Sequence, residues 1–200
     1  MHNIIFNLSD MHRHGAAFYD YLKLRKEYFV DTLNWDIPHD DQVEMDQYDN
    51  PQAYYSLVMQ GGEVVGGARA LPTTARWGEH TYMMRDAVAG KLPGIPQQLM
   101  SKAIVTPMVW ECTRLITAST VDNHADRGRV LSLVMQGVSD IAQHHGASEL
   151  IAIAPVLLVR AMRQLGWPVS CMSEPYVGKE DGRRYAALTM PVQPIRVAAE

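Results

Sequence analysis

From Gly15 to Val30, Phe18, Tyr21, Leu22 and Leu24 recur at mixed three- and four-residue spacings among Lys23, Arg25, Lys26 and Glu27, which predicts an amphipathic helix. The periodicity then lapses. From Asp31 to Pro51 the chain is polar and irregular, with Pro38, Trp35 and aspartates at 36, 40, 41, 46 and 49. A connection longer than about 12 to 15 residues usually carries function or is disordered, so this one is a candidate for function. Ala53 to Met59 and Glu63 to Leu71 are apolar runs joined by Gln60-Gly61-Gly62, the pattern of a β-hairpin. After a turn-rich stretch around Gly90 to Pro96, Pro107 to Ser119 predicts a strand with Trp110, Cys112 and Ile116 on one side and Glu111 on the other. Val130 to His145 predicts a helix with Leu131, Val134, Val138 and Ile141 on one stripe, stopped at Gly146. A buried strand (Glu149 to Ala154), a helix ending at Gly166 (Val156 to Leu165) and two strands (Val169 to Met172, Arg183 to Met190) complete the order. These elements imply an α/β or α+β sandwich with a central mixed sheet.

Composition narrows the class. At 200 residues, 47% hydrophobic, with no Pro/Gly/Ser-rich linker, residues 1–200 are expected to form one domain with a core that needs no staples. Cys112 and Cys171 have no metal-ligand or redox spacing around them, so reduced thiols in a cytoplasmic protein are expected. Met1 to Asp10 is too short an apolar run for a signal peptide, and no stretch approaches the roughly 20 apolar residues of a membrane span. Net charge is -4 with scattered basic residues, which gives no reason to expect nucleic acid as a partner. The pairs His12/His14 and His144/His145 lack a third ligand at useful spacing, so no metal is assigned.

The candidate chemistry begins with Arg25, Phe29, Trp35, Asp46 and Asp49, in the pattern Arg-x3-Phe-x5-Trp-x10-Asp-x2-Asp. Carboxylates pair with an ammonium and aromatic faces attract positive charge, so these residues suit a small cationic or zwitterionic ligand. A helix cap beside a buried tryptophan is the plainer alternative. The five residues, followed by Arg69 in Gly-Gly-Ala-Arg-Ala-Leu-Pro-Thr-Thr and by Glu111 and Arg114 in Trp-Glu-Cys-Thr-Arg, resemble the acyl-homoserine-lactone synthase family, the autoinducer synthases of bacterial quorum sensing. All eight hallmark positions are matched. The likeness continues through Arg160-Ala-Met-Arg-Gln-Leu-Gly-Trp to the last strand.

That resemblance implies an acetyltransferase-like (GNAT) fold whose splayed strands admit the arm of an acyl thioester. It also implies S-adenosylmethionine and the acyl thioester as substrates, with no further cofactor. Glu111 is the expected general base, Asp46 and Arg25 its expected catalytic companions, and Phe29, Trp35, Asp49, Arg69 and Arg114 the expected substrate-binding residues. Each arginine admits a second role, pairing with the carboxylates to keep the site rigid. The acyl tail is expected against Ala152 and Ala154, where no threonine hydroxyl is present for a 3-oxo group. Family members draw the acyl group from acyl carrier protein or coenzyme A. Arg160 and Arg163 on one helix face, with Arg127 and Arg129, are candidates for an acidic carrier's dock, against the alternative of ordinary solvated surface. Asp126-Arg127-Gly128-Arg129 only partly echoes the pyrophosphate cradle of plain acetyltransferases, so a GNAT-type N-acyltransferase acting on another amine is the main rival reading.

Overall fold

A computed structural model describes residues 1–192. Its elements are β1 (His2–Asn7), α1 (Ala17–Arg25), β2 (Tyr54–Gln60), β3 (Glu63–Pro72), α2 (Met83–Val88), β4 (Val109–Thr117), α3 (His124–His144), β5 (Glu149–Pro155), α4 (Val156–Gln164), β6 (Ser170–Cys171), β7 (Tyr176–Val177) and β8 (Arg184–Pro191). The strands form one mixed sheet in the order β1-β2-β3-β4-β5-β8-β6, with β7 also on β8, and only β4 and β5 run parallel. This is the expected acetyltransferase-like sandwich.

Three differences from the sequence reading have physical causes. The first ten residues contain β1, an edge strand whose short apolar run is filled out by pairing with β2. The expected helix over residues 15–30 is α-helical only to Arg25, after which Lys26–Thr32 continues as a π-helix. The third difference lies in β4. Arg114 has φ +55° and the β3/β4 register shifts between Gly67 and Arg69, so β4 bulges at Arg114. A bulge reverses the alternation beyond it, and so Leu115 rather than Ile116 joins Trp110 and Cys112 against α3, while Ile116 packs on the α1 side. The helix α2, just before the turn-rich stretch, carried too short a pattern to be read.

Two layers cover the sheet. On one face α3 and α4 bury Val130, Val134, Val138, Val159 and Met162 against the strands. The other face carries Phe6, Tyr21, Phe29 and Tyr55 under α1, and Met84, Val109, Ile151 and Ala187 around α2. Gly67 permits a close approach: a Cβ there would sit 2.5 Å from Leu57 Cδ2 of the paired strand and 2.8 Å from Tyr21 Cε2 of α1. Among the described residues no helix is long and apolar enough to cross a membrane.

Candidate active site

β4 and β5 pair through only three residue couples, ending at Glu111 with Ile151, and then part. Beyond that vertex β4 turns away with its bulge, while β5 stays paired to β8 as far as Pro155. The sheet is therefore open as a V between Cys112–Thr117 and Ala152–Pro155, with backbone amides of neither strand used by the other. Ala152 and Ala154 lie on the α3/α4 side of this opening. On the opposite side sits a cluster of charge.

Three guanidiniums and three carboxylates make up that cluster, which balances at zero formal charge. Arg25, at the end of α1, gives Nε to Glu44 Oε2 (2.6 Å) and a forked pair to Asp49 (2.8 and 2.8 Å). Arg69 on β3 bonds Asp46 Oδ1 (2.5 Å), Asp49 Oδ1 (2.9 Å) and Thr113 Oγ1 (3.1 Å). Arg114 reaches Glu44 through Nε and Nη2 (3.1 and 3.1 Å) and Asp46 Oδ2 through Nη2 (2.8 Å). The bulge makes this reach possible: it turns Arg114 to the same face as Thr113, its chain neighbour. Tyr55 donates to Asp49 Oδ1 (3.0 Å), and the amides of Asp46 and Tyr48 close the segment on itself (2.9 and 2.9 Å). The rings of Tyr21, Tyr48 and Phe29 lie against Arg25, Arg69 and Arg114 at 5.4, 5.6 and 5.2 Å. Burial pushes the Asp49 carboxyl up, but Arg69 and Arg25 beside it outweigh that and hold it far below the ordinary carboxylate range; Arg69 and Arg114 do the same for Asp46.

Glu111 stands apart from this cluster, fully buried at the vertex of the V. Its oxygens accept the amides of Met83 (2.8 Å) and Met84 (2.7 Å), the first turn of α2. Burial pushes its pKa up to about 7, more than those amides and Arg69 pull it down. Phe29 stacks on Trp35 (4.9 Å, 27°), and Phe29 in turn touches Arg114, so the two aromatics border the cluster.

The eight residues singled out from sequence thus meet on one side of the sheet, and Ala152 and Ala154 lie through the gap on the other. Every polar nitrogen of Arg25 is engaged by Glu44 and Asp49. Sequence reasoning missed Glu44, which bridges Arg25 and Arg114, because nothing along the chain set it apart from the other acids of the segment. It also missed Thr113 and the α2 amides. At the start of α3, Asn123 caps the Asp126 amide and Arg127 Nε turns back to the Val121 carbonyl (2.7 Å), so that part of the basic surface is tied to the fold. Arg160 and Arg163 line an open hollow of about 590 Å³ between α4 and β6. His145 stacks on Trp110 (5.0 Å), and no group of described residues could hold a metal ion.

The family model described as autoinducer synthase matches residues 9–199. The chain is 27% identical over 181 residues to an acyl-homoserine-lactone synthase of Vibrio anguillarum, covering 88% of this chain and 87% of that one. It is 31% identical over 163 residues to one of Ralstonia nicotianae, covering 74% and 72%. The fold is similar to that of the coenzyme-A-dependent acyl-homoserine lactone synthase BjaI, solved with MTA, at TM-score 0.76 and 21% identity over 94% of this chain and 82% of that chain.

Proposed function

This chain belongs to the autoinducer synthase family and is an acyl-homoserine-lactone synthase, an acyltransferase; from that premise we propose how its residues join an acyl thioester to the amine of S-adenosylmethionine. The observation that carries the reading is the Glu111 carboxylate, buried at the vertex where β4 and β5 part and on the same side of the sheet as a closed ionic cluster. An α-amine has a pKa of about 7.7 to 8.0, so at neutral pH much of it is protonated and cannot attack. Glu111 takes that proton, directly or through one water, and a base with a pKa near the working pH does this best. The freed amine attacks the thioester carbonyl, amides left unpaired by the parting of β4 and β5 stabilise the oxyanion, and the thiolate leaves with a proton. The methionine carboxylate then attacks its own γ-carbon; the C–S bond breaks and methylthioadenosine departs with the electron pair.

In this scheme Asp46 orients the substrate amine, Phe29 and Trp35 wall the methionine portion, and Arg25, Arg69, Arg114 and Asp49 hold the carboxylates in place. Arg25 acts by positioning, since each of its three nitrogens is already bonded to Glu44 or Asp49. The acyl tail runs through the gap to Ala152 and Ala154, and with no hydroxyl there the enzyme prefers a tail without a 3-oxo group; competition between plain and 3-oxo thioesters tests this. The donor is acyl carrier protein or acyl-coenzyme A, and Arg160 with Arg163 supports a carrier dock. No further cofactor enters, and the reaction belongs to the cytoplasm.

Mass spectrometry of medium from cells expressing the protein is expected to reveal the homoserine-lactone fragment and the acyl mass. An acylated product without methylthioadenosine release would make the protein a plain N-acyltransferase instead.

A further inference from the structure

The turn joining β7 to β8 reaches across the molecule to the aromatic border of the site. Asp181 in that turn accepts the Trp35 indole Nε1–H on Oδ2 (3.1 Å) from 146 positions away in sequence. The same oxygen accepts the Tyr185 hydroxyl, and Oδ1 accepts the Arg183 amide (3.0 Å), which ties Asp181 to its own hairpin. Two neighbouring contacts strengthen the bridge: Arg183 Nη1 donates to Tyr28 Oη (3.1 Å), and the Tyr185 ring stands edge-on to Trp35 at 6.0 Å. Partial burial raises the Asp181 carboxyl, but its hydrogen bonds from Tyr185, Arg183 and Trp35 outweigh this and hold it below the ordinary carboxylate range, so the acceptor is ionised and its bonds are charge-assisted.

Trp35 has Phe29 stacked on one face and the Tyr185 ring edge-on, and the hydrogen bond to Asp181 is the polar contact that fixes which way its Nε1–H edge points. Because Phe29 also packs on Arg114, which grips Glu44 and Asp46, the indole angle sets the outer boundary of the charged cluster. Resting on the assignment of the Phe29 and Trp35 wall to S-adenosylmethionine, we propose that Asp181 is a positioning residue that holds the Trp35 indole at the angle needed to close the pocket over that substrate. The carboxyl-terminal hairpin thereby completes a substrate wall supplied by the amino-terminal segment.

The test is titration of S-adenosylmethionine into the full chain by calorimetry, for the parent, Asp181→Asn, Trp35→Phe and the double variant. Each single change is expected to weaken binding about tenfold, and the double no more than Trp35→Phe alone, because both remove the same hydrogen bond. Trp35 emission, isolated by subtracting the Trp35→Phe spectrum, is expected to shift in Asp181→Asn, which general loosening of the hairpin far from Trp35 would not produce. Unchanged affinity in Asp181→Asn, or losses that add in the double variant, would overturn the inference alone. A parent chain that binds no S-adenosylmethionine would overturn the pocket assignment as well.

Discussion

Glu111 is held by two backbone amides, an arrangement that on its own lowers a carboxyl pKa, and burial nevertheless carries it up to about 7. Methylthioadenosine release is therefore expected to rise as pH passes up through about 7. Glu111→Gln should lower kcat by about 100-fold or more and move the remaining rise up to the amine's own pKa of about 7.7 to 8.0. Asp46→Asn should likewise cost more than about tenfold, roughly 1.4 kcal/mol in the barrier; a pH series of rates checks both. Asp49 is different. It sits between Arg25 and Arg69, and Asp49→Ala leaves two buried guanidiniums short of a partner, which should cost about 3 to 5 kcal/mol in urea unfolding. Asp46, Asp49 and Glu111 were legible in the sequence only as members of a set whose order and spacing resemble the hallmark positions of the synthase family, none of them being diagnostic alone. Glu44 was not, because one more acid in an acid-rich segment carries no mark until a fold puts it between two arginines.

At the scale of elements, the decisive feature is the bulge in β4. It breaks strand alternation after Arg114, sends Ile116 to the face opposite Trp110 and brings Arg114 beside Thr113 over the charged cluster. Period-two reasoning places the side chains before a bulge and misplaces those after it. Close helix-to-sheet and strand-to-helix contacts set the other constraint. Gly67→Ala forces a methyl to within 2.5 Å of Leu57 and 2.8 Å of Tyr21, and should destabilise the fold by about 1 to 3 kcal/mol. Gly128→Ala, in α3 with its nearest neighbour Leu165 at an ordinary 3.6 Å, should stabilise by about 0.5 to 1 kcal/mol because it restricts the unfolded chain. Thermal melts of the two variants are expected to move in opposite directions.

For the molecule as a whole, the buried acids pull stability in opposite directions with pH. Asp46 and Asp49 have folded pKa values below the ordinary 3.8, so the stability they contribute is complete above that value and disappears as pH falls through their folded values. Glu111 is raised from 4.5 to about 7, so its contribution is complete below 4.5 and is lost as pH rises toward and past about 7. The parent should therefore lose unfolding free energy between pH 4.5 and about 7 through this one group, and Glu111→Gln should lack that slope in urea titrations across the same range. By itself the sequence determined the order of the main strands and helices, the sandwich they build and the residue types at the site, since hydrophobic period and chain spacing are local properties. The tertiary structure alone decided that β4 and β5 part at Glu111, that six charges close into one neutral cluster, and that Asp181 meets Trp35. Those outcomes depend on strand register, on a bulge and on distances through space, and no pattern along the chain carries them.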